Sequence, residues 1–414
     1  MRNRSRNGMK VLVQQAKRDL RPVFERLEET ELHNLQKVQA AFEALRIAQR
    51  HFAPSEGYGY DDVGRDTLEK LYAHVFNAEA AIVRPQLTSG THTLSLCLFG
   101  LLLPGEHLLS AAGEPYDTMQ TVIGKKGDGI PGTLHELGVT FSSVPMKEDR
   151  VDEEAVLQNL RPNTRVALIQ RSRGYSWRKA LTLKEIESLI QKIKAVRPDI
   201  YIMVDNCYGE FTQKLEPSDL GADVVAGSLI KNPGGGLAST GGYIVGAEKA
   251  IGRIESRLTA PGIGRETGSY QGGYRLFYQG LFMAPHTVCQ ALKTAALAAK
   301  MAENLGFETS PASDSDRDDI IQAIQFGDRD KLIAFCQGIQ YASPVDAFVT
   351  PEPWAMPGYQ DEVIMAAGAF VPGASIELSC DAPMRPPYTA YLQGGLCLSH
   401  GMLALERAFS KVTT

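Results

Sequence analysis

The 414-residue chain is expected to fold as an α/β protein: a large domain on a mainly parallel seven-stranded sheet flanked by helices, then a smaller C-terminal α/β domain. Three observations predict this. Short β-rich runs alternate with helix-like stretches through the middle of the chain, as βαβ units do. Several polar residues (Asp205, Ser172-Arg173 and Ser228 to Lys231) fall just beyond the ends of those runs, where ligands of open α/β sheets bind. After about residue 283 the pattern changes to an Ala-rich helix followed by shorter runs.

Taken in order, residues 11–50 read as helix, with Val11, Leu20, Val23, Phe24 and Leu27, then Leu35, Val38, Phe42 and Leu45, at helical spacing. Pro54 and Gly57-Tyr-Gly-Tyr60 make 51–62 a loop, and apolar spacing resumes from Thr67 to about Asn77. Strands are expected at 79–84, 107–111, 139–144, 165–170, 200–205, 223–228 and 241–246, with helices at 92–103 and 182–194 between them. Beyond residue 283 the expectation is a helix over 287–304, runs at 306–310, 347–351, 363–370 and 374–378, and a last helix over 391–409. The polar, acidic segment Ser310 to Asp319 reads as an exposed turn. The division is 1–56 for N-terminal tail and helices, 57–283 for the large domain and 284–414 for the small one.

Composition narrows the function classes. With 43% hydrophobic and 22% charged residues and a net charge of −5, nothing points to nucleic acid or to an anionic membrane surface. The longest apolar stretch, Leu94 to Pro104, is too short to span a bilayer. Six scattered cysteines without Cys-x-x-Cys fit a reducing compartment, so a cytoplasmic location is expected. Met1 to Lys10, with Arg2, Arg4 and Arg6, reads as a disordered tail, and Met9 is an alternative start. The histidines show no metal-ligand spacing, and the glycine clusters at 234–236 and 241–242 precede a strand, unlike a dinucleotide fingerprint.

The chemistry centres on Lys231. It follows the apolar run Asp223 to Ser228 and precedes three glycines, an unusual place for a solvated lysine. Upstream, Ile200-Tyr-Ile-Met-Val-Asp205 ends on a carboxylate that needs a partner if buried. A strand-end Asp followed by a strand-end Ser-x-x-Lys is what pyridoxal phosphate (PLP) requires. Lys231 forms the Schiff base, Asp205 keeps the pyridine nitrogen protonated, and the Ser228 hydroxyl reaches the phosphate. Ser89, Gly90 and Thr91 precede the apolar helix 94–103 and offer free N–H groups at its positive end, a second phosphate contact beyond simple capping. Tyr116, beyond strand 107–111, is placed to stack on a flat ring and handle a proton. Tyr208 can reach the ring hydroxyl, whereas Cys207 reads as a small core filler and His92 as a helix-start residue. Arg385, among prolines that fix the backbone, suits capture of an amino acid's α-carboxylate, and Arg173 is a second candidate.

Gly227-Ser-Leu-Ile-Lys231-Asn-Pro-Gly-Gly-Gly236, Val204-Asp205-Asn-Cys-Tyr-Gly-Glu210 and Gly57-Tyr-Gly-Tyr60 together resemble the methionine gamma-lyase-like proteins, also called cystathionine beta-lyase-like or aluminium-resistance proteins. These belong to the fold-type I PLP enzymes. The resemblance implies a homodimer or homotetramer with active sites at subunit interfaces, and Tyr60 reaching into the neighbour's site. It implies elimination of a thiol from a sulfur-containing amino acid. Two positions differ from the better-known carbon–sulfur lyases: Ile230 stands where a Ser or Thr precedes the lysine, and Asp61 and Asp62 follow the tyrosines where an arginine is usual. The residues themselves leave open an aminotransferase, an aldolase or another PLP reaction, or a cofactor-binding stress or regulatory protein with little turnover.

Overall fold

The computed structural model describes residues 2–125, 129–356 and 361–413, with side chains from residue 8 onward. Two helices open the chain, α1 (Arg2–Asp19) and α2 (Arg21–Ala44). The single helix expected over 11–50 is thus broken near Leu20. Pro22 lacks an amide N–H and fits only the first turn of a new helix. The disordered tail expected up to Lys10 is also corrected, since α1 includes residues 2–10 and buries Met9. Met9, Val13, Ala16 and Leu20 of α1, with Val23 and Phe24 of α2, join the core of the C-terminal domain. Val38 and Ala41, farther along α2, join the core of the large one. The N-terminal helices therefore tie the two domains together.

The large domain continues through α3 (Val63–Val75), β1 (Ala80–Arg84), α4 (Gly90–Leu101), β2 (His107–Ser110), α5 (Asp117–Ile123), β3 (Thr140–Ser143) and α6 (Glu153–Gln158). Then come β4 (Thr164–Gln170), α7 (Leu183–Val196), β5 (Tyr201–Asp205), β6 (Val224–Ser228), β7 (Gly242–Gly246) and α8 (Glu248–Glu255). The seven strands form one sheet in the order β1-β7-β6-β5-β4-β2-β3. Only β7 runs against the rest, pairing antiparallel with β1 and β6. Every residue of β1, β2, β5, β6 and β7 is buried, as expected of a sheet with helices on both faces. That is why these strands read as apolar runs and lie close to their expected places.

The 30-residue helix α9 (Arg275–Asn304) leads out of the large domain. It begins before the expected residue 287 because Pro285 lies inside it rather than at its start. Its Gly280 lets two backbones meet: a Cβ there would lie 2.3 Å from the Gly234 carbonyl oxygen, and one on Gly235 would lie 2.3 Å from the Gly280 carbonyl oxygen. The glycine turn after Lys231 is thereby seated directly on α9.

The small domain comprises β8 (Glu308–Ser310), β9 (Ile321–Gln325), α10 (Arg329–Gln340), β10 (Val363–Ala366), β11 (Ser379–Pro383), β12 (Thr389–Gln393) and α11 (Leu398–Val412). Its sheet is antiparallel in the order β10-β11-β12-β9-β8. Several expectations are corrected here. Residues 347–351 form no strand, the strand expected over 374–378 lies at β11, and the one over 363–370 is limited to β10. The helix expected from 391 begins only at Leu398, because Thr389–Gln393 is a wholly buried central strand. A short apolar run cannot be assigned to helix or strand from periodicity alone. Gly394 and Gly395, at φ +76° and +135°, separate that strand from α11. Nor is Ser310 to Asp319 an exposed turn: Ser310, Ser313, Arg317 and Asp319 are buried. Glu303 accepts from Ser313 and Asp319 from Ser172, whereas the buried Arg317 guanidinium makes no hydrogen bond among the described residues.

A Cβ on Gly234 would lie 1.8 Å from the Leu229 carbonyl oxygen and 2.7 Å from the Ala238 Cβ. Gly234→Ala is therefore expected to destabilise by roughly 1–3 kcal/mol or more. Thermal unfolding checks this, and a variant melting with the parent protein would contradict it.

Candidate active site

Strands β2, β4, β5 and β6 run parallel and bring their carboxyl ends to one edge of the sheet. Asp205 is the last residue of β5 and Ser228 the last of β6, and both are buried. Lys231 comes after β6, beyond Leu229 and Ile230, half-buried, with its Nζ 4.1 Å from the centroid of the Tyr208 ring. Burial alone would push the Lys231 ammonium down. Cys207, Tyr208, Asp205 and Tyr116 around it outweigh that and hold it above its ordinary range. The Asp205 carboxyl is raised by burial, which Lys231 and the Cys207 N–H (3.1 Å to Oδ1) oppose.

Helix α4 starts at the same edge. The Ser89 hydroxyl is occupied as its cap, accepting the His92 N–H at 3.1 Å, so Ser89 has chiefly its backbone to offer a ligand. His92 takes the Thr88 N–H on Nδ1 and remains exposed, as a helix-start residue should. A Cβ on Gly90 would sit 3.6 Å from both the Cys207 Sγ and the Ser228 Cβ, so the helix start, the β5 turn and the end of β6 converge. Thr91 Oγ1 lies 3.0 Å from the Tyr116 hydroxyl and 3.0 Å from Thr118 Oγ1. Tyr116 immediately precedes α5, and its N–H donates to Gln170 Oε1 at 2.9 Å. Gln170 ends β4 and pairs in register with Asp205, so it ties the tyrosine to the sheet. Burial raises the Tyr116 phenol well above its usual range, keeping it protonated.

The turn after β5 is strained. Tyr208 stands at φ +73° and Phe211 at φ +60°, uncommon for aromatic residues. Arg171, fully buried, braces it by donating to Asn206 Oδ1 at 2.8 Å and to the Gly209 carbonyl at 3.0 Å. Cys207 is buried and its thiol is pushed up by burial, so it stays a neutral filler lining the cavity. Glu210 carries no signal in the sequence that marks it as buried and titratable. It is fully buried, receives the Tyr243 hydroxyl at 2.8 Å, and burial pushes it up to about 8.

These groups open into a cavity of about 620 Å³ between the sheet edge and the small domain. Lys231, Asp205, Tyr208, Tyr116, Gly90 and Thr91 line one side. Arg173, Tyr175, Asp381, Arg385, Tyr391 and Gln393 line the other. Arg173 is buried, its Nη1 donating to the Ser310 carbonyl at 2.7 Å and its backbone N–H to Asp319 at 3.3 Å. Arg385 is exposed at the rim, with Nη1 3.0 Å from Asp361 and Nη2 donating to the Tyr175 carbonyl at 3.3 Å. Tyr60 is not brought in. It is 60% exposed on the loop before α3, its ring 5.8 Å from that of Tyr58, and it does not line its own chain's cavity.

A model of the methionine gamma-lyase family matches residues 9–413. The chain belongs to that family. Membership makes it a PLP-dependent carbon–sulfur lyase of fold-type I. The lyase is 49% identical over 393 residues to the uncharacterized protein YnbB of Bacillus subtilis, covering 95% of this chain and 93% of that one. Among solved structures, a carbon–sulfur lyase involved in aluminium resistance from Clostridium novyi is 47% identical with a TM-score of 0.95, over 99% of this chain and 97% of that one. A protein of Clostridium acetobutylicum, whose name refers to cystathionine beta-lyase and aluminium resistance, is 47% identical with a TM-score of 0.96, over 99% and 96%.

The residues present fit PLP. They supply an amine and a carboxylate at the ends of adjacent strands, an aromatic ring held at the same edge, and a helix N-terminus whose Gly90 leaves clear the space a side chain would enter. Among the described residues no helix is long and apolar enough to cross a membrane, and no acidic, His or Cys cluster could hold a metal.

Glu210 gives a pH signature. A carboxyl raised from its unfolded value to about 8 binds its proton more tightly when folded. Its contribution to stability is full below the unfolded pKa and is lost as pH rises to about 8. Glu210→Gln removes the ionisation, so the melting temperature of the variant relative to the parent apoprotein should climb across that window. A difference that is flat with pH would contradict it.

Proposed function

We propose that the lyase eliminates a thiol from a sulfur-containing L-amino acid, as methionine gamma-lyases or cystathionine beta-lyases do, releasing a 2-oxo acid and ammonia. The observation that carries this is the convergence of Lys231, Asp205 and Tyr116 at one end of a cavity with room for a substrate beside the cofactor. PLP, when bound, supplies the electron sink for the pair left behind as the α-proton departs.

Lys231 would hold the cofactor through its Nζ, and its amine is the group placed to carry the α-proton. Asp205, buried and ending β5, would keep the pyridine nitrogen protonated. Gly90 and Thr91 offer backbone N–H groups, and Ser228 its hydroxyl, to the phosphate. Ser89 fixes the helix start that presents those groups. Tyr116 would flank the cofactor ring and, protonated as burial keeps it, can give a proton to the departing sulfur. Tyr208 shapes the pocket wall beside Lys231. The substrate carboxylate is read by Arg173, whose cavity-side position is buried and whose Nη1 partner is a neutral carbonyl, with Arg385 a second contact at the rim. Asp361 already claims Arg385, which reverses the order expected from sequence. Tyr60 and Tyr58, both exposed, complete the site of a neighbouring copy in a homodimer or homotetramer.

Holoprotein incubated with methionine, cystathionine and cysteine should release thiol and 2-oxo acid in equal amounts from at least one of them. Finding neither product would remove the reading. Lys231→Ala should lose the visible absorbance of the bound cofactor and at least about 10²-fold in turnover. Subunit sharing has its own test: mixing inactive Tyr60→Ala and Lys231→Ala proteins under subunit exchange should restore part of the activity. A mixture as inactive as its components would place Tyr60 outside the site.

A further inference from the structure

On β11 the side chains alternate. Cys380 and Ala382 enter the small-domain core, while Asp381 and Pro383 face the active-site cavity. Asp381 is 6% exposed, and its Oδ2 accepts the Tyr175 hydroxyl at 3.0 Å and the Gln393 amide at 3.0 Å. Both donors are neutral. Among the described residues no cation makes an ion pair with it: the Arg385 guanidinium meets Asp361, and that of Arg173 lies on the Ser310 carbonyl and hydroxyl. A buried carboxylate answered only by neutral donors is costly unless a cation joins it. Burial raises this carboxyl to about 6, which leaves it largely ionised at neutral pH. Around it stand Tyr175 and Tyr391, with ring centroids 5.5 Å apart, and the wall continues through Ile321 towards Tyr208. Aromatic faces beside a carboxylate favour an organic ammonium.

We propose that Asp381 is a specificity-determining residue that binds a second, distal ammonium on the sulfur-borne arm of the substrate. The inference rests on the sulfur amino acid lyase reading above. The substrate's α-amine is needed at Lys231, at the other side of the same cavity, so the ammonium met by Asp381 is a different one. The favoured class is therefore a thioether amino acid whose leaving thiol itself carries an amino group. A thioether with a bare alkyl arm leaves Asp381 without a cation.

A matched pair of ligands isolates the charge: S-(2-aminoethyl)-L-cysteine and S-propyl-L-cysteine, which differ in one terminal group. Holoenzyme is titrated with each, binding is read from cofactor absorbance, and thiol release is followed in parallel. The parent enzyme should prefer the aminoethyl compound by roughly 10- to 100-fold in Kd and KM, the span expected of a hydrogen bond to a charged group. Asp381→Asn keeps partners for Tyr175 and Gln393. It should abolish that preference by raising KM and Kd for the aminoethyl compound much more than for the propyl one. Equal affinity for the two ligands in the parent enzyme would overturn the inference, as would a variant that loses both equally. In either case elimination would continue and the lyase reading would stand. Neither binding nor thiol release with either ligand, from an enzyme that turns over methionine, cystathionine or cysteine, would overturn this inference alone; if none of those is turned over either, the lyase reading falls with it.

Discussion

The site depends on a buried carboxylate at the end of β5 standing beside a half-buried amine three residues past the end of β6. A carboxylate alone at that depth costs several kcal/mol, and the neighbouring amine offsets part of that desolvation. Asp205 is fixed because β5 is buried along its whole length, and its terminal residue cannot turn to solvent without unpairing from Gln170 and Ala226. Lys231 is fixed by the glycine turn on its C-terminal side. That turn packs against α9 backbone to backbone, at a separation no larger residue permits. Arg171 and Gln170 then hold the Tyr208 turn and Tyr116 around the pair.

The same cavity has two unlike halves. The sheet edge contributes Asp205, Tyr116 and Lys231, which are close in the fold because β4, β5 and β6 are adjacent. The small domain contributes Asp381, Tyr391 and Gln393 from β11 and β12, and Arg385 from the turn between them. On the proposed reading, the chemistry falls to the edge of the seven-stranded sheet and the choice of substrate to the groups that face it from the antiparallel sheet. The N-terminal helices, packed into both cores, fix that contact from the side.

The halves are not equally legible in the sequence. The large sheet is readable because strands covered on both faces are continuous apolar runs, and residues such as Asp205 and Lys231 stand out where such runs stop. The small domain is not. Reading Tyr391 as the start of a helix, and placing a strand at 374–378, hides the fact that Asp381, Tyr391 and Gln393 face one cavity. Gln170 carries no local signal at all, because its role depends on its register with Asp205. Arg317 and Asp319 look like surface residues because polarity usually means exposure. Only tertiary structure shows that Asp319 receives Ser172 and the Arg173 N–H. Arg385 is legible as an arginine in a rigid loop, but its pairing with Asp361 is not.

Lys231 is proposed as the residue to which PLP is joined. Borohydride reduction of the holoprotein, then proteolysis and peptide mass spectrometry, tests it most directly. The predicted result is one pyridoxyl group per chain, on the peptide that contains Lys231. Attachment to a different lysine, or no attachment to a protein saturated with PLP, would contradict it.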